Sequence, residues 1–249
     1  MNRYVTYLLP SFFLAGGLGT TFSLHAAQEG PFKTSTNLAL TTDYVFRGFT
    51  QTDEKPALQG GFDINHETGT YFKVWGSNVK FLEGEEVSPK DRASLEIDAL
   101  LGYQRPLNEN MTYGLQIARY MYPGAGSSLN YDMTEFNINL KYVLGQTEWG
   151  FNYDYSPEYS AEVGKSHHYS FSFNHALSEN AHFGGYVGQL SVTDNEKFGY
   201  DDYLYYGLSL SYSTEALDTS LTYSNTDIDS DLKKDKADGR LVFTLSKTF

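Results

Sequence analysis

The chain has 249 residues, of which 31 are acidic and 18 basic, for a formal net charge of −13, and it contains no cysteine. So acidic a surface repels nucleic acid, and the lack of cysteine removes disulfide scaffolding, thiol nucleophiles and thiolate metal sites together. Mean hydropathy is −0.44, a value that suits a soluble protein and equally a barrel whose strands turn one face to a polar interior.

The first predicted element is an export signal. Arg3 precedes an apolar stretch with Leu8, Leu9, Phe12, Phe13 and Leu14, and Ala26-Ala27 offers a cut after either residue. Leu24 and His25, three positions before the two cuts, do not decide between them. Residues 1–27 are therefore read as signal peptide and 28–249 as one domain. Pro10, Gly16, Gly17 and Gly19 interrupt the apolar run, and no later stretch supplies the ~20 apolar residues that a spanning helix requires.

After the signal, polar and apolar residues alternate with period two, the pattern of strands with one apolar face. It predicts twelve strands, at 34–48, 56–66, 70–79, 92–104, 111–122, 131–143, 147–156, 166–176, 181–191, 202–213, 217–226 and 239–249. On the first strand Leu38, Leu40, Tyr44 and Phe46 form the outward set, which turns Asp43 and Arg47 inward. In 92–104 the residues Ala93, Leu95, Ile97, Ala99, Leu101 and Tyr103 oppose Glu96 and Asp98. In 134–142 the residues Phe136, Ile138, Leu140 and Tyr142 oppose Glu135, Asn137, Asn139 and Lys141. The last strand alternates Leu241, Phe243, Leu245, Lys247 and Phe249 and runs to the final residue.

Connections alternate between short joins, such as Glu67-Thr68-Gly69 and Leu144-Gly145-Gln146, and long ones, such as 49–55, 81–91, 157–165 and 227–238. A membrane barrel has short periplasmic turns and long external loops, whereas a β-sandwich has water at both ends and no reason to alternate. The expected fold class is all-β: a transmembrane, antiparallel, up-and-down β-barrel. An even strand number places both termini on the periplasmic side. Tyr44, Phe46, Tyr103, Tyr142, Tyr155 and Tyr212 lie near strand ends, where an amphipathic ring would join an interfacial girdle; ordinary sheet packing is the alternative.

Thr42-Asp43-Tyr44-Val45-Phe46-Arg47-Gly48, then Pro56 to Gly61 and Trp75-Gly76-Ser77-Asn78-Val79, resemble the TorF-type porin family of proteobacteria. The resemblance extends to Glu96-Ile97-Asp98 and Tyr122-Pro123-Gly124, and it implies an outer-membrane barrel of largely uncharacterised transport role. The closing strand is similar to the assembly signal of outer-membrane proteins. Lys247 departs from that pattern, although a long Lys stem can snorkel to an interface.

Strand parity assigns eight acids to the lumen, Asp43, Asp63, Glu96, Asp98, Glu135, Glu148, Asp154 and Asp218, against four bases, Arg47, Lys73, Lys141 and Arg240. If the interior is open, the excess carboxylate favours cations; if it is narrow, the same groups pair and fill it. His168 and Ser170 share a strand face, as in an outer-membrane phospholipase, but Tyr169, Phe171 and Phe173 hold the apolar face and turn the pair inward. Asp227, Asp229 and Asp231 mimic a calcium loop, yet Leu232 stands where the turn glycine is required. Lys233, Lys234 and Lys236 could meet lipopolysaccharide phosphates, and the acidic loop with Glu83, Glu85 and Glu86 reads as solvated.

The expectation is a non-enzymatic outer-membrane channel of a Gram-negative bacterium, passing small polar solutes with a mild preference for cations, with no cofactor or metal. A non-conducting structural or adhesive barrel is the first alternative, and a lipid-modifying enzyme the second. Expected partners are outer-membrane lipid and lipopolysaccharide, and the barrel-assembly machinery through the strand ending at Phe249. Association into homo-oligomers is compatible with the chain, though no flat apolar stripe marks an interface.

Overall fold

A computed structural model describes residues 30–81, 87–229 and 236–249; residues 1–27, expected to be a signal peptide, lie outside them. Twelve antiparallel strands close into a barrel: β1 (Phe32–Thr41), β4 (Ala57–His66), β5 (Thr70–Asn78), β6 (Leu95–Pro106), β7 (Met111–Met121), β8 (Met133–Leu144), β9 (Thr147–Ser156), β10 (Ser166–Ala176), β11 (Ala181–Val192), β12 (Tyr203–Ser213), β13 (Asp218–Thr226) and β14 (Arg240–Thr248). A two-stranded hairpin, β2 (Val45–Phe46) with β3 (Phe49–Thr50), lies apart from the barrel sheet. One helical turn, α1 (Asn195–Phe198), sits in an external loop with Asp194 accepting from the Lys197 backbone N–H at 2.9 Å.

Alternation along each strand puts apolar side chains on the outside. Leu38, Leu58, Leu101, Ile138, Leu208 and Leu241 are each more than half exposed. A band of this extent belongs against hydrocarbon, not water. Tyr103 and Tyr212 are exposed near the periplasmic ends of their strands, and Tyr169, Tyr206 and Tyr223 near the external ends, so aromatic rings lie at both rims of the band.

The barrel closes where β1 meets β14, with Leu40 opposite Leu245 and Leu38 opposite Lys247. Phe249 continues the seam: its N–H donates to the Thr36 carbonyl at 2.8 Å, and its own carbonyl accepts from the Thr36 N–H at 3.1 Å. The closing strand is thereby hydrogen-bonded to β1 as far as Phe249, as lipid demands of a strand with no water beside it. Lys247 extends to the turn before β13, where its ammonium donates to the Glu215 carbonyl; the departure from an apolar pattern is thus accommodated by snorkelling.

The first strand differs from its sequence reading. It stops at Thr41, not residue 48, and the chain turns into the barrel. Tyr44, expected on the lipid side, is 2% exposed in the interior, where its ring packs edge-on against Trp75. Phe46 packs on Tyr120, and also faces inward. The cause is local polar competition with the ladder: the Thr41 hydroxyl donates to the Asp43 carbonyl, and the Asp43 carboxylate accepts from Thr50 (2.6 Å) and Thr52 (2.8 Å).

Candidate functional site: an inserted hairpin and a carboxylate layer

Arg47 and Gly48 form the tip of the β2–β3 hairpin, with φ of 48° and 86°. Two successive left-handed residues make the type I′ turn that suits the twist of a two-residue hairpin. Gly48 is needed twice over, for its dihedral and for its size: a Cβ there would meet Thr226 Cγ2 at 2.4 Å and Tyr205 Cβ at 2.9 Å. The hairpin tip therefore presses against the wall made by β12 and β13. The Tyr203 hydroxyl fixes it by donating to the Arg47 carbonyl at 2.9 Å.

From this tip the Arg47 guanidinium reaches across the lumen to Glu135 on β8. The two form a fork-on-fork pair, with both N–H···O distances 2.9 Å. Asp154 on β9 lies 3.9 Å away, and the Tyr159 hydroxyl accepts from the same guanidinium at 3.4 Å. The ring of Phe46 lies 4.8 Å and that of Tyr159 5.8 Å from the guanidinium carbon. Burial holds the Tyr159 phenol above its ordinary pKa, against the pull of Arg47 and with Glu135 adding to the rise. Such a planar, bidentate, ring-flanked pairing is specific to Arg over Lys.

The rest of this layer is charged as well. Arg240 on β14 donates to Asp43 at 3.0 Å and lies 3.4 Å from Glu54. His168 on β10 contacts Asp154 through Nδ1 and the Tyr205 hydroxyl through Nε2, each at 2.7 Å. On β6, Glu96 accepts from the Tyr44 hydroxyl at 3.4 Å. Its other oxygen and both oxygens of Asp98 have no partner among the described residues. Asp98 is fully buried, in register with Trp75 on one side and Tyr120 on the other.

Seven of the twelve residues assigned to the lumen by parity, Asp43, Arg47, Glu96, Asp98, Glu135, Asp154 and Arg240, thus gather in the outer half of the interior. The other five lie toward the periplasmic end. Lys73 sits 3.5 Å from Asp63, and Lys141 3.0 Å from Glu148. Asp218 shares the inward face of β13 with Ser220 and Thr222. These groups are half-buried and reach water.

Other sequence candidates resolve differently. Ser170 accepts from Asn152 at 3.3 Å, while both nitrogens of His168 are engaged elsewhere; no serine–histidine hydrogen bond forms, so the nucleophile–base contact of a hydrolase is missing. Asp227 accepts from the Leu204 backbone N–H at 2.7 Å and serves as a strand-end cap. Asp231, Leu232, Lys233, Lys234, Glu83, Glu85 and Glu86 lie outside the described residues. Among the described residues no cluster of three or more potential ligands could hold a metal ion.

Sequence reasoning missed Tyr159, Tyr203, Tyr205, Thr50 and Thr52 as parts of this constellation. Only Gly48, following an arginine inside an otherwise continuous alternation, signalled the turn; Arg-Gly is a weaker I′ mark than Asn-Gly. Above the tip, external loops enclose a cavity of about 260 Å³ with Arg47, Phe46, Phe49, Tyr159, Phe198 and Tyr203 among its lining.

A closed, lipid-facing, twelve-stranded barrel with a polar interior defines the chain as a membrane β-barrel of porin architecture. It belongs to the family described as "Bacterial protein of unknown function (Gcw_chp)", whose model matches residues 25–249. The KdgM porin has the same fold, with a TM-score of 0.59 at 6% identity over 86% of this chain and 98% of that one. The NanC porin gives a TM-score of 0.54 at 9% identity over 87% and 98%. At such identities the likeness is one of fold. No curated protein matches the chain.

Proposed function

We propose that the protein is an outer-membrane channel for passive diffusion of small polar solutes, with a mild preference for cations, and that the hairpin carrying Arg47 closes its outer half. The observation that carries this reading is the asymmetry of the interior. The periplasmic half is polar and reached by water, with Lys73, Asp63, Lys141 and Glu148 side chains 18–27% exposed. The outer half is filled by the inserted hairpin packed against inward wall residues that include Leu100, Tyr120, Leu190 and Tyr205. The hairpin is joined to the wall by non-covalent contacts alone, Arg47 to Glu135 and Tyr203 among them, and can move as a unit, whereas wall side chains cannot.

Excess carboxylate supports the cation preference through the same field focusing that operates in charged clefts. A KdgM porin structure is described as a complex with disordered oligogalacturonate; a polyanion of that kind would be repelled by Glu96, Asp98, Glu135 and Asp154. An export signal, the lipid-facing band and the Phe249 seam support location in the outer membrane and assembly through the closing strand.

Planar-bilayer recording of refolded protein tests the reading. Discrete conductance steps, a reversal potential of cation-selective sign in a salt gradient, and larger steps after deletion of residues 44–51 are expected. Silence of both forms, in bilayers where a known porin conducts, overturns it in favour of a non-conducting structural or adhesive barrel, the reading that the filled outer half itself favours.

A further inference from the structure

Among the described residues the carboxylate layer holds one guanidinium for four acids: Arg47 serves Glu135 and approaches Asp154, which His168 also contacts, while Glu96 and Asp98 receive no base. Arg240, the other base at this level, is committed to Asp43 and Glu54. Burying a carboxyl with no base beside it is costly, so a native site that keeps Asp98 without a hydrogen-bond partner among the described residues, and Glu96 with the Tyr44 hydroxyl in place of a base, has a use for them. Asp98 lies within electrostatic reach of both Glu96 and Glu135. The three therefore act on one volume, which Arg47 enters from above.

Arg47 is not part of the wall. It arrives on an inserted hairpin, and its head group is received as a receptor receives a ligand. One carboxylate takes both ends of the fork, a second adds charge at 3.9 Å, and Phe46 and Tyr159 supply rings for a cation to rest on. The cavity above, with aromatic walls and Arg47 in its lining, gives an approach from outside along which a cation meets ring faces.

We propose that this layer is a binding site for small organic cations of the alkylguanidinium class, and that Arg47 is its tethered occupant. This names a solute class for the channel and rests on that reading for access from outside. Displacing the hairpin uncovers Glu135 and Asp154 beside Asp98 and Glu96, leaving four carboxylates facing the incoming solute. Gate and selectivity element are then one constellation: the residue that shuts the path imitates what the path accepts.

The test is chemical rescue with ethylguanidinium chloride as the probe, read by isothermal titration calorimetry on the full refolded barrel in detergent. Arg47→Ala is expected to bind ethylguanidinium at millimolar concentration, about tenfold or more tightly than wild type, because charge-assisted hydrogen bonds become available only in the variant. Urea, the neutral isostere, is expected not to bind. Asp98→Asn in the Arg47→Ala background is expected to weaken binding severalfold, and Glu135→Gln to abolish it. Should Arg47→Ala fail to fold alone, ethylguanidinium in the refolding buffer is expected to restore the folded, heat-modifiable band where urea at equal concentration does not.

Equal binding by wild type and variant, equal binding of urea, or neither binding nor rescue overturns the proposal. Binding is measured without current across a membrane. A barrel that binds ethylguanidinium and never conducts refutes the channel and leaves the site; one that conducts and ignores the probe does the reverse.

Discussion

The outer and periplasmic halves of the interior are lined by the same strands and the same alternation, yet they hold their charges differently. In the outer half Arg47, Glu135 and Asp98 are at most 4% exposed. In the periplasmic half the Lys73–Asp63 and Lys141–Glu148 pairs keep contact with water. The inserted segment between β1 and β4 and the bulky wall residues it packs on, Tyr120, Leu190 and Tyr205 among them, together displace water from that half. Identical side-chain chemistry is thereby given different weight: a buried pair costs ~3–5 kcal/mol to break, a water-accessible one ~0–1 kcal/mol.

Removing the guanidinium breaks this contrast most severely. Arg47→Ala leaves Glu135 buried without its partner, and hairpin docking should weaken by about 3–5 kcal/mol. Single-channel conductance should rise in the variant, and an unchanged conductance would show that the remaining contacts, the Tyr203 hydrogen bond to the residue 47 carbonyl and the Asp43–Arg240 pair among them, suffice to hold the hairpin. Gly48→Ala comes next. Its Cβ conflicts with Thr226 and Tyr205 and its φ is left-handed, at a cost of about 1–3 kcal/mol. More frequent openings in bilayer recording are expected, with Glu135 intact.

A smaller effect follows Tyr205→Phe, which removes the hydroxyl at 2.7 Å from His168 Nε2 and leaves the aromatic packing in place. The loss should be about 1 kcal/mol, read as a modest fall in thermal stability by circular dichroism. Lys141→Ala in the wet half sharpens the comparison from the other side: stability should change by less than about 1 kcal/mol. Reversal potentials should nevertheless move further toward cation selectivity, because Glu148 loses its counter-charge.

Faces were readable residue by residue wherever a strand pairs on both sides. Phe136, Phe151, Phe171 and Leu208 point outward, and Glu96, Asp98, Glu135 and Asp154 point inward. The same rule failed at Tyr44 and Phe46, and at Ala93, which precedes the start of β6 and is buried. A hairpin also alternates with period two, so an inserted segment and a longer strand look alike until the turn at Arg47-Gly48 is recognised. No local pattern could pair Arg47 with a glutamate 88 positions away, or His168 with Tyr205.

What residue order determined by itself was the twelve-stranded barrel, the side of each strand that meets lipid and the excess of acid within. The environment imposes these every second residue, because hydrocarbon and lumen sort side chains by local alternation. Tertiary structure alone decided that the first external loop enters the barrel, that its arginine finds Glu135, and that Asp98 is left without a base among the described residues. Those outcomes depend on which distant groups share a small volume once the wall has closed, and no periodicity along the chain encodes that meeting.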